Sequence, residues 1–448
     1  MDRGNTSVLR RPVAIPAHLF VAASAWASRV VGGLVQLVII RVLLSYLGAP
    51  QYALFSVVAS LGTWFALVEF GVGNSVQNRI SAARAAGHER DVVLRSALPL
   101  LAGLLVTSTI ALVIVGPPLQ RFLFRRIGVS GGGPIGDYVI AVIGFVYIVT
   151  TLVNVSYKVF YGELRGYIAN AYITIANLLL LTTVILLQLV HLESSRLFWA
   201  LLACTVPPAI VGVVGSIQVY RRYRLSGTAV DWGVTRALWN RAWRFGGFAA
   251  MSAAVLGIDY VIMSQTLPPA QIVQYNAASK VFGLIFFLYS SVLQASWPVC
   301  AEALGRRDVS AVRKLTRENL AAGTALMLVG TLAFVAGRSL IGGALLGSGG
   351  IAIPSGVIVA FGAYFLLRVW AETFATLLMS GDRLRVFWIY LPFQAAISAL
   401  GQYSLSRYFG LYGILAGLIL SFLLTAVWVL PWDSLKLLRQ VSRAKAAA

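Results

Sequence analysis

Charge is scarce in this sequence, and acid is scarcest: 448 residues carry 36 Lys and Arg but only 15 Asp and Glu. With 59% hydrophobic and 11% charged residues and a mean hydropathy of +0.82, the chain has too little polar material to cover a water-soluble globule. The longest polar connections run about twenty residues, too short to bury a separate core, so no soluble domain is expected and function has to lie within the membrane. The short alternating segments that build a membrane barrel are also missing. Several apolar runs instead exceed the roughly 20 residues that a helix needs to cross about 30 Å of hydrocarbon. The expectation is an all-α polytopic membrane protein.

Reactive side chains are equally sparse. Cys204 and Cys300 fall in or at the end of apolar segments, so they offer neither a disulfide framework nor a metal site. His18, His88 and His191 lie far apart without ligand spacing and read as structural. The phosphate-cradling pattern GxxxxGK[ST] is absent, so neither ATP hydrolysis nor a cofactor is expected. The net charge of +21 would suggest nucleic acid in a soluble protein, but here the positive charge sits in loops and no nucleic-acid partner is expected.

What the chain does have is hydrophobic runs. They predict about twelve spans, at 19–44, 51–76, 92–116, 137–160, 167–190, 197–220, 245–266, 272–298, 319–340, 353–379, 385–405 and 411–431. Arg10 and Arg11 before an apolar run, with Ala25-Trp26-Ala27 after it, resemble a secretory signal. Apolar character resumes from Val30 to Leu44, however, which favours an uncleaved first span. With both termini inside, 26 of the 36 Lys and Arg fall on the cytoplasmic side, 6 outside and 4 within spans, and this asymmetry sets the orientation. The local exception is QRFLFRR at 120–126, an external basic-aromatic patch.

The connection at 221–244, RRYRLSGTAVDWGVTRALWNRAWR, places Trp232, Trp239 and Trp243 on one helical stripe among arginines. That suits an amphipathic helix at the cytoplasmic interface. It separates two six-span lobes, 1–220 and 245–431, followed by a basic cytoplasmic tail at 432–448. Each lobe has a two-span element entered by a Gln-containing turn, LGAPQY at 47–52 and LPPAQI at 267–272, which points to parallel repeats.

The candidate charges within spans are Arg29, Arg41, Glu69, Asp259, Lys280, Arg368 and Glu372. A central Arg, Lys or Asp costs roughly 2.5 to 3.5 kcal/mol, so each is expected to face a partner or an aqueous cavity. Arg368 and Glu372, at i and i+4, are spaced to neutralise each other. Glu69 lies too deep to snorkel and calls for an interior partner, for which Arg29 and Arg41 on the neighbouring span are the candidates. Asp259 and Lys280, on consecutive spans, are expected to form an acid-base pair. A seam lined by Arg29, Lys280 and Arg368 would attract an anion. Tyr275, Asn276, Gln294 and Trp297 add surface suited to sugars, although aromatics at this spacing more often pack.

The run RVLLSYLGAPQYALFSVVASLGTWFALVEFGVGNSVQNRISAARAAGH resembles the first two spans of Wzx-type polysaccharide flippases, with Glu69-Phe70-Gly71 in the acid-aromatic-Gly position, where Asp is commoner. The run DYVIMSQTLPPAQIVQYNAASKVFGL is similar to their seventh and eighth spans, with Asp259, Tyr275 and Lys280 in matching places. Pro268-Pro269 departs from their usual Leu-Gly turn. The resemblance implies the multidrug/oligosaccharidyl-lipid/polysaccharide exporter fold, with two six-helix lobes around a central cavity. It also implies a substrate, an undecaprenyl-diphosphate-linked oligosaccharide moved to the outer leaflet of a bacterial inner membrane, and partners in a polysaccharide polymerase and export machinery.

On this reading Arg29, Lys280, Arg368 and Arg41 are the substrate-binding candidates. Glu69, Asp259 and Glu372 compensate charge or couple transport to protons or sodium. Three alternatives stay open. A drug or cation antiporter of the same superfamily should place more acids than bases in its cavity. A membrane-bound glycosyltransferase or glycan polymerase needs activating groups outside, where the loop at 117–136 contains no acid but offers Arg121, Arg125 and Arg126. A non-transporting scaffold for lipid recruitment is the third.

Overall fold

In lipid every backbone N–H and C=O has to be satisfied within the chain, and this one does so with helices alone; no strand occurs among the described residues. The computed structural model describes residues 17–86, 90–125, 136–190, 195–223, 229–347, 351–381, 383 and 385–446. His88, His191, Arg126 and the arginines before residue 17 lie outside them, as does the side chain of His18.

The first half comprises α1 (Ala17–Ser60), α2 (Gly62–Phe65), a 3-10 turn (Ala66–Glu69), α3 (Val72–Ala86), α4 (Asp91–Phe124), α5 (Val139–Val153), α6 (Val155–Gly162), α7 (Gly166–Leu189) and α8 (Arg196–Arg222). The second half comprises α9 (Trp232–Gly257), α10 (Asp259–Thr266), α11 (Pro269–Gly305), α12 (Val309–Ala336), α13 (Arg338–Leu346), α14 (Ser355–Ser380), α15 (Arg385–Phe409), α16 (Leu411–Leu424) and α17 (Ala426–Ala446). Nine described stretches are long and apolar enough to cross a membrane. The first of these, Ala23–Glu69, folds back on itself at Gly48, while α9–α10 and α15, counted among the twelve expected spans, are not among the nine.

The two Gln-containing turns are built differently. At 47–52 the chain reverses at Gly48, whose φ of +70° only glycine adopts cheaply, and Pro50 opens the second leg. At 267–272 Leu267 and Pro268 are extended and Pro269 sits in the first turn of α11, where its missing N–H costs nothing. Proline thus replaces the Leu-Gly turn without disturbing the reversal. The amphipathic connection also differs from expectation in one respect. From Trp232 it is continuous with the seventh pass in one 26-residue helix, capped by the Asp231 carboxylate on the N–H groups of Gly233 and Val234. The bend falls deeper, between Gly257 and Asp259.

Within the first lobe α1 packs on α7 and α8, α5 on α4 and α8, and α3 on α6; within the second, α11, α12 and α14 pack together and α15 packs on α16. Between lobes α1 meets α11 and α13, while α3 and α4 meet α9. The closest backbone approach is α15 against α16. A Cβ on Gly417 would stand 2.4 Å from the Gln402 nitrogen, and one on Gly413 would stand 2.2 Å from the Leu405 carbonyl oxygen. Both obstacles are backbone, which cannot rotate aside. We therefore expect Gly413→Ala with Gly417→Ala to cost on the order of 1–3 kcal/mol each by overpacking. Gly283→Ala, which meets nothing within 4 Å, should leave the melting temperature of the purified protein unchanged in the same assay.

Candidate functional site

Along α1, Arg29 and Gln36 are seven residues apart; along α11, Lys280, Phe287 and Gln294 repeat at the same interval. Seven residues bring an α-helix back to nearly the same face after roughly 10 Å of rise. The two antiparallel faces meet: Arg29 Nη1 donates to Gln294 Oε1 at 3.1 Å, and Lys280 Nζ donates to Gln36 Oε1 at 3.2 Å. The Arg29 guanidinium also lies over the Phe287 ring, 5.1 Å from its centroid. On the second leg of α1, Tyr52 donates to Asn276 Oδ1 at 3.0 Å, and Asn276 Nδ2 donates to the Tyr260 hydroxyl at 2.8 Å. The lobes are therefore joined by a polar seam.

Neither cation of the seam has a carboxylate within ion-pair distance among the described residues. Lys280 reaches from the second lobe into a cavity of ≈ 230 Å³ in the first, walled by Gln36, Tyr52, Ser56, Tyr147 and Thr205. Its single amide bond, worth about 1.5–3 kcal/mol, barely offsets the roughly 2.5–3.5 kcal/mol cost of a central charge. The ammonium is thus poised to prefer a stronger acceptor.

The other charges are placed elsewhere. Arg41, about 120° around α1 from Arg29, donates to the carbonyls of Gly343 and Ala344 at 3.3 and 3.1 Å, at the C-terminal end of α13. A cation is favoured there by the helix dipole. Arg368 pairs with Glu372 at 4.0 Å, as their spacing suggested, and its guanidinium lies 4.3 Å from the Phe286 centroid. Both face a cavity of ≈ 110 Å³ within the second lobe, and the linings of the two cavities share no residue. The structure therefore brings Arg29 and Lys280 to one seam, while Arg368 faces a different cavity.

Two expected partnerships are not formed. The Glu69 carboxylate turns away from Arg29 and Arg41. Its Oε1 accepts the Gly73 N–H at 2.7 Å, at the start of α3, beside Lys158, the charge that acts on it. This arrangement follows a break in the second pass, where Phe70 and Gly71 have φ of 46° and 75°. Four N–H groups at the head of α3 lack helical partners, and a carboxylate answers them and the dipole together. Any side chain at Gly73 would displace it, since a Cβ would stand 2.1 Å from Glu69 Oε1. Asp259 likewise opens α10, accepting the Tyr260 N–H at 2.9 Å and the Tyr275 hydroxyl, and it does not pair with Lys280.

Sequence reasoning passed over Gln36, whose shared seven-residue interval with Arg29 was the available signal. It also passed over Glu163, buried at the end of α6, which pairs with Arg90 at 3.0 Å and Arg222 at 3.8 Å. No local pattern announces that cluster, because its members come from three connections. Of the external patch, Arg121 lies within α4 and pairs with Asp137 at 3.7 Å.

No protein-family model matches the chain. It is 32% identical over 94% of its length to the "Putative O-antigen export protein" of Yersinia pseudotuberculosis, covering 96% of that protein. It is 34% identical, with the same coverage, to the "Putative O-antigen transporter" of Salmonella typhi. Among solved structures, it is similar to an inward-facing multidrug-resistance MATE transporter of the MOP superfamily, with TM-score 0.74, 14% identity and coverage of 93% of this chain and 99% of that one. It is also similar to the lipid II flippase MurJ in an inward closed conformation, with TM-score 0.68, 12% identity and coverage of 95% and 90%. These likenesses establish the two-lobed exporter fold.

The seam predicts a cross-linking pattern. In a background of Cys204→Ser and Cys300→Ser, the pair Gln36→Cys with Lys280→Cys should be joined by a bis-maleimide spanning about 10 Å, the rise of two helical turns. The pair Gln36→Cys with Glu302→Cys, whose second member lies about 33 Å further along α11 than Lys280, should not. Mobility on a gel after cleavage at a protease site engineered into residues 224–228 reads the result.

Proposed function

The chain belongs to the O-antigen transporter family, and from that premise we propose that it flips an undecaprenyl-diphosphate-linked oligosaccharide from the cytoplasmic to the outer leaflet of a bacterial inner membrane. It is a multi-pass membrane protein and, as its relatives' names indicate, a transporter and not an enzyme. Both termini lie in the cytoplasm on this reading, and the product passes to a polysaccharide polymerase and export machinery.

The observation that carries the reading is the pair of cations on one inter-lobe seam, Arg29 and Lys280, which have no carboxylate partner among the described residues and hydrogen-bond to glutamine amides. Counting from the outer reversal at Gly48, Arg29 lies roughly 10 Å nearer the inner face than the level of Gln36 and Lys280. A diphosphate arriving at the inner interface meets Arg29 first and Lys280 second. A phosphate oxygen brings a negative charge whose attraction to the cation a neutral amide oxygen lacks, so phosphate oxygens displace Gln294 and Gln36 in turn. The glycan follows through the polar space around Asn276, and the polyprenyl tail stays in the bilayer. The lobes then rock about the seam, a step that breaks Arg41 from the α13 carbonyls at the outer end.

With the cell interior about 100 mV negative, outward passage of two uncompensated negative charges gains roughly 4–5 kcal/mol. Proton or sodium coupling would fall to Glu372, half-open to the second cavity, before Glu69 and Asp259, whose carboxylates are engaged at helix starts.

The test is translocation of a defined lipid-linked oligosaccharide in proteoliposomes. Arg29→Gln and Lys280→Gln should each slow transfer at least tenfold, the equivalent of about 1.4 kcal/mol; Arg368→Gln should slow it less. Wild-type rates in both seam variants would overturn the anion-receiving role, and runs with and without a pH or sodium gradient read the coupling.

A further inference from the structure

A further cavity lies away from the seam, on the flank of the first lobe. It encloses ≈ 430 Å³ between α4 and α8, with α5 and α6 as its floor. Its wall is almost wholly apolar, including Leu98, Leu101, Val155 and Val159, and on the α8 side Val213 and Ile217 are exposed, so it opens sideways toward lipid. From Val213 to Arg221 it follows α8 for about 12 Å. At the end where the basic loops lie stands Arg221, exposed and without an ion pair among the described residues. Its neighbour Arg222 is taken by Glu163, which also holds Arg90. One polar atom in the floor, Ser156 Oγ, is buried and has no hydrogen-bond partner.

We propose that this groove is a binding site for one anionic glycerophospholipid of the cytoplasmic leaflet, with an acyl chain between α4 and α8 and the phosphate at Arg221. An apolar trough closed by a cation at headgroup depth matches such a lipid in both halves. About two helical turns of length are too short to seat a partner helix stably. The lipid-linked substrate is the less suitable occupant, because no residue of α1 or α11, the helices that carry Arg29 and Lys280, lines the groove. The bound lipid wedges apart α4 and α8, which make little direct contact. This inference does not rest on the transport reading and is tested without it.

Native mass spectrometry of the purified protein, supplied with equal phosphatidylglycerol and phosphatidylethanolamine, reads the site. The wild type should retain one phosphatidylglycerol preferentially. Arg221→Gln should reduce that preference about fivefold, the worth of one arginine near an anionic surface, whereas Arg317→Gln, at another exposed arginine on α12, should not. Ile217→Trp, which fills the open edge, should abolish retention of both lipids. Should that variant fail to fold, the headgroup ratio of Arg221→Gln decides alone. Equal retention of the two lipids by the wild type, an unchanged ratio in Arg221→Gln, or a polyprenyl phosphate displacing phosphatidylglycerol from the groove would each overturn the proposal.

Discussion

An ion at bilayer depth has to be answered, and the hydrogen-bond acceptor that answers Lys280 among the described residues is the amide oxygen of Gln36 across the lobe interface. The arrangement holds two opposing demands in balance. A carboxylate partner would satisfy the ammonium but close it to other anions, and a purely apolar surrounding would not tolerate it at all. Glutamine is the intermediate choice, neutral and yet able to accept a hydrogen bond. Arg29 and Gln294 repeat it two turns away. Because each bond joins α1 to α11, these groups also hold the lobes in register.

The acids follow a different rule. With only 15 carboxylates in the chain, two of those inside the membrane open helices after breaks in their passes: Glu69 at the head of α3 and Asp259 at the head of α10. A break at this depth exposes N–H groups that lipid cannot satisfy, and a carboxylate supplies both an acceptor and favourable charge against the dipole. Both breaks lie in passes that touch the opposite lobe. Phe70, at the first break, packs against Trp239 of α9, 6.1 Å between ring centroids. The Gly246 backbone approaches it so closely that a Cβ there would stand 3.1 Å from the Phe70 carbonyl oxygen. Trp243, one turn on from Trp239, meets Trp388 of α15. The helix that begins as the interfacial connection is therefore gripped by both lobes.

Arg368 belongs to a third arrangement. Its charge is shared between Glu372 and the faces of Phe286 and Phe365, within a cluster of rings from α11 and α14. Paired and stacked in this way, it depends on nothing from the first lobe. The separation of the two cavities then gives the lobes distinct chemistry, with an uncompensated base in one and a compensated pair in the other.

Hydropathy was enough to fix the helical, multi-pass class, because a bilayer imposes length and composition on every spanning segment independently of its neighbours. The local pairing of Arg368 with Glu372 was legible for the same reason, since four residues of one helix contain both partners. Tertiary structure alone decided what each remaining charge touches. Glu69 turned to its own helix because the chain breaks at Phe70, a left-handed step that phenylalanine does not advertise. Lys280 met Gln36 and not Asp259 because α1 and α11 pack face to face. Periodicity reveals which face a side chain occupies, but the element opposite that face is chosen by packing across the whole molecule.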